Sequence, residues 1–187
     1  MKKIPTIFER DWTGDKSRVT DVCNPEALWV FQGEGVATRK YDGTAVLVED
    51  GVLYCRYDAK NGKTPPPNFR PAQDAPDEET RHWPGWVPAD KRQHKWQIAA
   101  FTSYVTGILP NGTYEACGPH FQSNPENYPS DLLVPHARAE RFEDAPRTFV
   151  GLAEWFKGHD IEGLVWHHPD GRMAKIKKKD FGLRRDQ

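Results

Sequence analysis

Two Asp-Gly turns, each set between β-branched and aromatic runs, constrain this chain more than any other feature. At the first, Ala45 to Val48 leads into Glu49-Asp50-Gly51 and Val52 to Tyr57 returns, the pattern of an antiparallel hairpin over Gly43 to Tyr57. At the second, Ile161 to His168 and Arg172 to Lys178 flank Pro169-Asp170-Gly171. With Pro169 and Asp170 as the loop tip, His168 faces Gly171, Glu162 lies opposite Lys177, and Leu164 lies opposite Lys175. Side chains alternate faces along a strand, so this register gathers Glu162, Lys175 and Lys177 on one surface. A slip of one residue would send the acid and the lysines to opposite faces.

Between the hairpins the pattern predicts a helix over Lys91 to Val105, with Trp96, Ala100, Phe101 and Tyr104 along one side, ended by Gly107 and Pro110-Asn111-Gly112. A strand over Thr113 to Cys117 follows, with Glu115 as its only acid. A second helix starts from the N-cap Thr148, runs through Leu152 and Phe156, and stops at Gly158. Seven of the sixteen prolines fall between Asn61 and Asp90, which therefore reads as one long Pro-rich loop, at about 61–90. Its aromatic segment around Trp83 and Trp86 suits a binding loop better than a passive spacer.

At 187 residues the chain is long enough for one domain with a sizeable core, and seven Trp, six Tyr and nine Phe supply the apolar surface. No run approaches the roughly 18 to 20 apolar residues that span a bilayer, and Met1-Lys2-Lys3-Ile4-Pro5 opens no signal-peptide core, so a cytoplasmic protein without membrane partners is expected. Cys23, Cys55 and Cys117 are odd in number and lack Cys-x-x-Cys spacing, which predicts free thiols. From Arg172 to the end, seven basic residues stand against two acids, while the rest of the chain carries a net charge of -6. A basic terminus on an acidic body suits a polyanionic partner such as a nucleotide or a nucleic-acid backbone.

Lys40-Tyr41-Asp42-Gly43 places a lysine beside an acid and a glycine, directly after an expected strand. Such a lysine can act as a nucleophile where desolvation or neighbouring cations expose its lone pair. Downstream come Tyr114-Glu115-Ala116-Cys117-Gly118, then Glu162-Gly163-Leu164-Val165, then Lys175-Ile176-Lys177. In this order the motifs resemble the covalent nucleotidyltransferase superfamily of DNA ligases, RNA ligases and mRNA-capping guanylyltransferases. With His82-Trp83-Pro84-Gly85-Trp86-Val87-Pro88, Lys95-Trp96, and the ending Lys175-Ile176-Lys177 to Asp180-Phe181-Gly182-Leu183, the chain looks like the compact, single-domain ATP-dependent 5′-to-3′ RNA ligases. The resemblance covers roughly Asn24 to Leu183.

It implies an α+β fold: one ATP-grasp-like nucleotidyltransferase domain over 1–187, built of two packed, mostly antiparallel sheets with flanking helices. Lys40 would attack the α-phosphorus of ATP, within a nucleotide-binding set of Arg39, Asp42, Gly43, Arg56, Glu115, Glu162, Lys175 and Lys177. Glu115 would contact the ribose, Arg56 the ribose or an incoming 5′-phosphate, and Lys175 and Lys177 the α-phosphate. Glu162 would hold Mg²⁺ (or Mn²⁺). An adenine also needs a π-face, for which Phe121 is the candidate. After Lys177 only Lys178 to Gln187 remain, too few for the oligonucleotide-binding barrel that larger relatives append. That favours a monomeric RNA ligase joining 5′-phosphate and 3′-hydroxyl ends, with Trp83, Trp86, Lys178, Lys179, Arg184 and Arg185 as RNA contacts. Guanylyl transfer from GTP, joining of DNA ends, and a non-catalytic RNA-end or nucleotide sensor are the competing readings. His167 and His168 are adjacent on a strand and so point to opposite faces, which argues against a shared metal. His120, beside the nucleoside strand, is a further candidate for substrate contact.

Overall fold

The β-branched runs do become strands, in a computed structural model whose described residues are 1–104 and 109–185. The first part of the chain carries β1 (Phe8–Arg10), β2 (Val19–Cys23), the one-turn helix α1 (Leu28–Phe31) and β3 (Val36–Lys40). Then come β4 (Thr44–Glu49), β5 (Val52–Ala59), β6 (Arg70–Pro71), β7 (Trp83–Pro88), helix α2 (Lys95–Thr102), β8 (Gly112–Cys117) and β9 (Leu132–Pro135). The chain continues through β10 (Arg141–Phe142), helix α3 (Phe149–Lys157), β11 (Gly163–His167), β12 (Met173–Lys177) and a 3-10 turn over Lys178–Phe181. The class is α+β, with mostly antiparallel sheets and few helices. Among the described residues no helix is long and apolar enough to cross a membrane.

The chain divides into two compact units: Met1–Lys3 with Asp42–Arg138, and Ile4–Tyr41 with Ala139–Gln187. The boundary falls inside the Lys40-Tyr41-Asp42-Gly43 tetrapeptide.

The first unit holds a six-stranded antiparallel sheet in the order β6-β7-β5-β4-β8-β9. Its β4–β5 hairpin closes with Glu49 opposite Val52 and with Asp50 and Gly51 both at positive φ (51° and 76°). That is the backbone a two-residue type I′ turn requires and Asp-Gly supplies. Val46, Val48, Leu53, Cys55, Tyr114, Ala116 and Leu133 form the core with Ala100 of α2. Burial pushes the Cys55 thiol up to about 12, and all three cysteines are free.

The Pro-rich loop expected over 61–90 is corrected at its far end. Residues 83–88 are strand β7, registered along β5 from Tyr54 opposite Pro88 to Ala59 opposite Trp83. On its other side β6 pairs only with Gly85 and Trp86, so β7 is nearly an edge strand and tolerates Pro84 and Pro88. Gly85 lets Phe69 lie against the backbone, where a Cβ would meet the Phe69 ring at 2.3 Å. Helix α2 starts at Lys95 because Asp90 accepts the Arg92 and Gln93 amides and closes 91–93 as a turn. The helix ends at Thr102 with Ser103 as its C-cap, short of the expected Val105; Val105 and Gly107 themselves lie outside the described residues.

The second unit holds a four-stranded antiparallel sheet, β10-β3-β11-β12, and the β1–β2 pair. Helix α3 runs as its caps dictate: Thr148 accepts the Gly151 amide at 3.2 Å, and Gly158 ends it. Leu152 and Phe156, one turn apart, meet Phe8, Trp29, Leu164, Trp166 and Ile176 in a core rich in aromatic edge contacts. Each such fully buried side chain contributes about 1.5–3 kcal/mol. Ala37, Leu164, Trp166, Ala174 and Ile176 give one face of the sheet to that core. The other face is polar.

Candidate active site

On the polar face the strands align in rows. Lys40 of β3 lies opposite Gly163 of β11, which lies opposite Lys177 of β12. The next row is Thr38, Val165 and Lys175; the one after it is Val36, His167 and Met173. Lys40 ends β3, so its expected place after a strand holds, although the strand belongs to this sheet and the following hairpin to the other.

The hairpin register is corrected by one residue. Gly163, where Glu162 was expected, sits opposite Lys177, and Val165 sits opposite Lys175. The cause is the turn. The His168 amide donates to the Arg172 carbonyl at 2.9 Å, and Gly171 takes a positive φ of 94°, so the loop holds Pro169, Asp170 and Gly171 instead of two residues. Even so, the acid and lysines meet. Glu162 precedes β11 and is free of its strict alternation, and the residue between Lys40 and Lys177 is a glycine. The Glu162 carboxylate bridges the two ammonium groups, with Oε2 at 2.5 Å from Lys40 Nζ and Oε1 at 2.6 Å from Lys177 Nζ. At Gly163 a Cβ would meet the Ile176 carbonyl oxygen at 2.2 Å, so no larger residue fits between these strands.

Burial alone would raise the Glu162 pKa, but Lys40 and Lys177 outweigh it and hold the carboxyl below its ordinary value. At about 4 Å and an effective dielectric of about 20, one unit pair interacts by about 4 kcal/mol, so two cations keep this acid ionised. Lys175 makes no ion pair among the described residues. Burial, and then the charges of Lys177 and Lys40, push its ammonium down to about 8 against the opposing pull of Glu162 and Asp180. Asp180 is 1% exposed and supports the end of β12, accepting the Lys177 amide at 2.9 Å and Arg10 Nη1 at 2.8 Å. Among the described residues the face thus gathers Lys40, Lys175 and Lys177 around the Glu162 carboxylate, a set of cations of the kind that suits a phosphate.

The remaining expected nucleotide residues divide between the units. Arg39 points away from Lys40, pairing with Glu140 at 3.5 Å and lying over the Tyr41 ring. In the other unit, Gly43 lies so close to β8 that a Cβ would meet the Ala116 carbonyl oxygen at 2.2 Å, so its role is close approach. The Asp42 amide donates to Glu126 at 3.0 Å, a contact that nothing in the sequence pattern signals. Glu115 is buried on β8 and bonds His136 Nε2 at 3.0 Å, while His136 Nδ1 meets Thr113 Oγ1 at 2.9 Å. Arg56 lies over the Trp86 ring, pairs with Asp58 at 3.3 Å and donates to the Met1 carbonyl at 2.6 Å. Phe121 is 4% exposed and packed in the core with Val46 and Tyr114, so the expected stacking face is instead a core ring. His120 stacks on Trp96 with centroids 3.4 Å apart and pairs with Asp131.

No protein-family model matches the chain. RNA ligase 1 of Rattus norvegicus is 25% identical over 266 residues, taking in 98% of this chain and 81% of the rat protein. RNA ligase 1 of Mus musculus is 24% identical over the same shares. RNA ligase 1 of Danio rerio is 29% identical over 141 residues, 57% of this chain and 43% of the fish protein. The chain is thus similar to RNA ligase 1 proteins, along nearly its whole length in the two rodent relatives.

The expected RNA contacts fall into two groups. Lys179 and Arg184 are exposed. Lys178 is buried, its Nζ donating to the His159 carbonyl at 3.2 Å, and Arg185 is held by Asp160. Trp86 is 4% exposed beneath Arg56, and half-buried Trp83 donates to the Gln73 carbonyl at 2.8 Å; both are strand residues, not loop aromatics. Among the described residues no group of three His, Cys, Asp or Glu side chains could hold a metal. The Glu162 carboxylate beside these lysines is the type of oxygen donor that Mg²⁺ takes, one or two carboxylates with its waters kept.

Proposed function

We infer that this chain is an ATP-dependent RNA ligase of nucleotidyltransferase fold, joining 5′-phosphate and 3′-hydroxyl RNA ends through a lysyl-AMP intermediate in RNA repair. The observation that carries the reading is Lys40 held by Glu162 beside Lys177, with Lys175 in the next row. The similarity to RNA ligase 1 proteins supports the same activity.

The reading assigns each residue a task. Attack on a phosphorus with anionic oxygens is opposed by repulsion, which Lys175 and Lys177 relieve at the α-phosphate. Lys40 gives up a proton, its Nζ forms a bond to the α-phosphorus, and the bond from that phosphorus to the bridging oxygen breaks to release pyrophosphate. A 5′-phosphate oxygen of RNA then takes the AMP and frees the lysine. Finally a 3′-hydroxyl attacks that 5′-phosphorus, forming the phosphodiester with loss of AMP. Glu162 orients Lys40 through its 2.5 Å contact. A bound Mg²⁺ or Mn²⁺, with Glu162 as its protein ligand, would supply further neutralisation of phosphate oxygens. Glu115 serves the ribose, and exposed Lys179 and Arg184 serve RNA phosphates.

Incubation with ATP labelled at the α-phosphate should leave label on the protein through a denaturing gel, and Lys40→Ala should carry none. An unlabelled wild type, or undiminished label on Lys40→Ala, would overturn the reading. Parallel reactions with labelled GTP, and ligation of 5′-phosphorylated RNA against DNA, test the nucleotide and the substrate.

A further inference from the structure

Helix α2 departs from its expected face in its first turn. Ala100 and Phe101 pack into the core of the six-stranded unit, but Trp96, expected beside them, is 37% exposed and belongs to neither hydrophobic core. An indole left partly in solvent gives up part of the benefit of burial. What it touches instead is His120: the two rings are parallel within 11° and their centroids are 3.4 Å apart.

The imidazole is held as well as covered. Gly118, at a φ of 130°, leaves room for the Asp131 carboxylate, whose Oδ1 a Cβ there would meet at 2.6 Å. That carboxylate, just before β9, accepts the His120 amide at 3.1 Å and bonds ring Nδ1 at 2.7 Å. A pinned amide, a pinned ring edge and a covered face fix the ring plane, yet the His120 side chain is 42% exposed. Trp96 occupies one face and Asp131 one edge, so the exposed area is the opposite face with the remaining edge. On the far side of the indole, Lys95 Nζ lies over the ring at 4.4 Å from its centroid. The open face serves whichever imidazole nitrogens carry protons, because stacking uses the ring and not its edge.

A rigid aromatic pair with one face open is a platform for one more flat ring. The adjoining surface favours a polyanion: Lys91, Arg92 and Lys95 are exposed along the segment that leads into Trp96, where the acid is Asp90, turned onto the Arg92 and Gln93 amides. Flat rings strung on a polyanion are the chemistry of single-stranded nucleic acid, whose unpaired bases expose faces that a duplex hides.

We propose that His120, backed by Trp96, stacks an unpaired base of single-stranded RNA, while Lys91, Arg92 and Lys95 meet neighbouring backbone phosphates. His120 is thus an RNA-binding residue that touches substrate, and Trp96 and Asp131 are positioning residues that act through it. The proposal rests on the RNA-joining reading above.

The test compares, by fluorescence anisotropy, binding of a short single-stranded oligouridylate and of a ribose-phosphate strand of equal length that lacks bases. His120→Ala should lower the wild-type preference for the base-bearing strand by about tenfold, the worth of one base stacked on an aromatic ring. His120→Phe, which keeps a stacking face, should hold that preference within about threefold of wild type. Trp96→Ala, which removes the support behind the ring, should lower it at least threefold. Lys91→Gln combined with Arg92→Gln should weaken binding of both strands alike. A thermal melt identifies variants that have lost the fold, and Trp96→Ala carries the test if His120→Ala has. Equal binding of the two strands by wild type, a preference unchanged in the folded alanine variants, a loss in His120→Phe equal to that in His120→Ala, or binding undiminished in the double glutamine variant would overturn the proposal. A wild type that binds neither strand would instead overturn the RNA reading beneath it.

Discussion

In the unit of the six-stranded sheet Arg56 meets Asp58 and Arg70 meets Glu49, one charge to one partner, and Glu115 bonds the His136 ring. On the four-stranded sheet Lys40, Lys175 and Lys177 stand around the carboxylate of Glu162, and the nearby Asp180 is engaged by Arg10. A balanced pair is a sufficient structure in itself. A cluster of three lysines keeps like charges close at a cost, seen in the lowered Lys175 pKa, and an arriving anion would offset that cost. The difference separates electrostatics that serve the fold from electrostatics that serve a ligand.

The largest effect should come from emptying the lysine cluster. Lys175→Ala combined with Lys177→Ala should lower nucleotide labelling of Lys40 by on the order of 10³-fold or more, with the melting transition retained. If labelling persists, these lysines do not serve phosphate. Glu162→Gln keeps the shape and a hydrogen-bonding oxygen but removes the charge that holds Lys40 and Lys177 together. Labelling should fall by about 10²-fold in a single-turnover assay.

A smaller effect separates stability from activity by pH. The folded-state pKa of Lys175, about 8, lies below its ordinary 10.5, so between these values the folded chain binds fewer protons than the unfolded one. Stability should therefore rise as pH climbs from about 8 toward 10.5, and that gain is lost as pH falls through about 8. Labelling should move the opposite way, falling above about pH 8 as the ammonium loses its charge. Urea unfolding across this range should show the rise in wild type and a flatter profile in Lys175→Met. Equal slopes would mean that Lys175 is not the group responsible.

The smallest effect belongs to the balanced sheet. Arg70 and Glu49 are 2.8 Å apart but nearly half exposed, so Glu49→Gln should change stability by less than about 1 kcal/mol and leave labelling unchanged. A larger loss in chemical denaturation would erase the contrast between the sheets.

Legibility from sequence followed how local each cause was. The β4–β5 hairpin was readable because Asp50-Gly51 carries its own turn geometry. Helix α3 was readable from Thr148, Leu152, Phe156 and Gly158. Strand β7 was hidden by its prolines, which are tolerated only because β6 leaves most of one side uncovered. The β11–β12 register was misjudged by one residue because the preference of Gly171 for positive φ enlarged the loop. Contacts such as Glu126 with Asp42, 84 residues apart, and His167 with Thr38, 129 apart, leave no periodic or motif signal.

By itself the sequence determined which residues the proposed chemistry could draw on: Lys40, Glu162, Lys175 and Lys177 carry amines and a carboxylate that no packing arrangement creates. It also determined the turns and caps, because those depend on the φ preference or hydrogen bonding of a few neighbours. Tertiary structure alone decided which face those charges share, that Glu162 bridges two lysines across a glycine, and that Phe121, Trp86 and Lys178 are buried. The physical reason is that burial and register depend on how strands far apart in the chain pair and pack, whereas charge and turn preference belong to each residue where it stands.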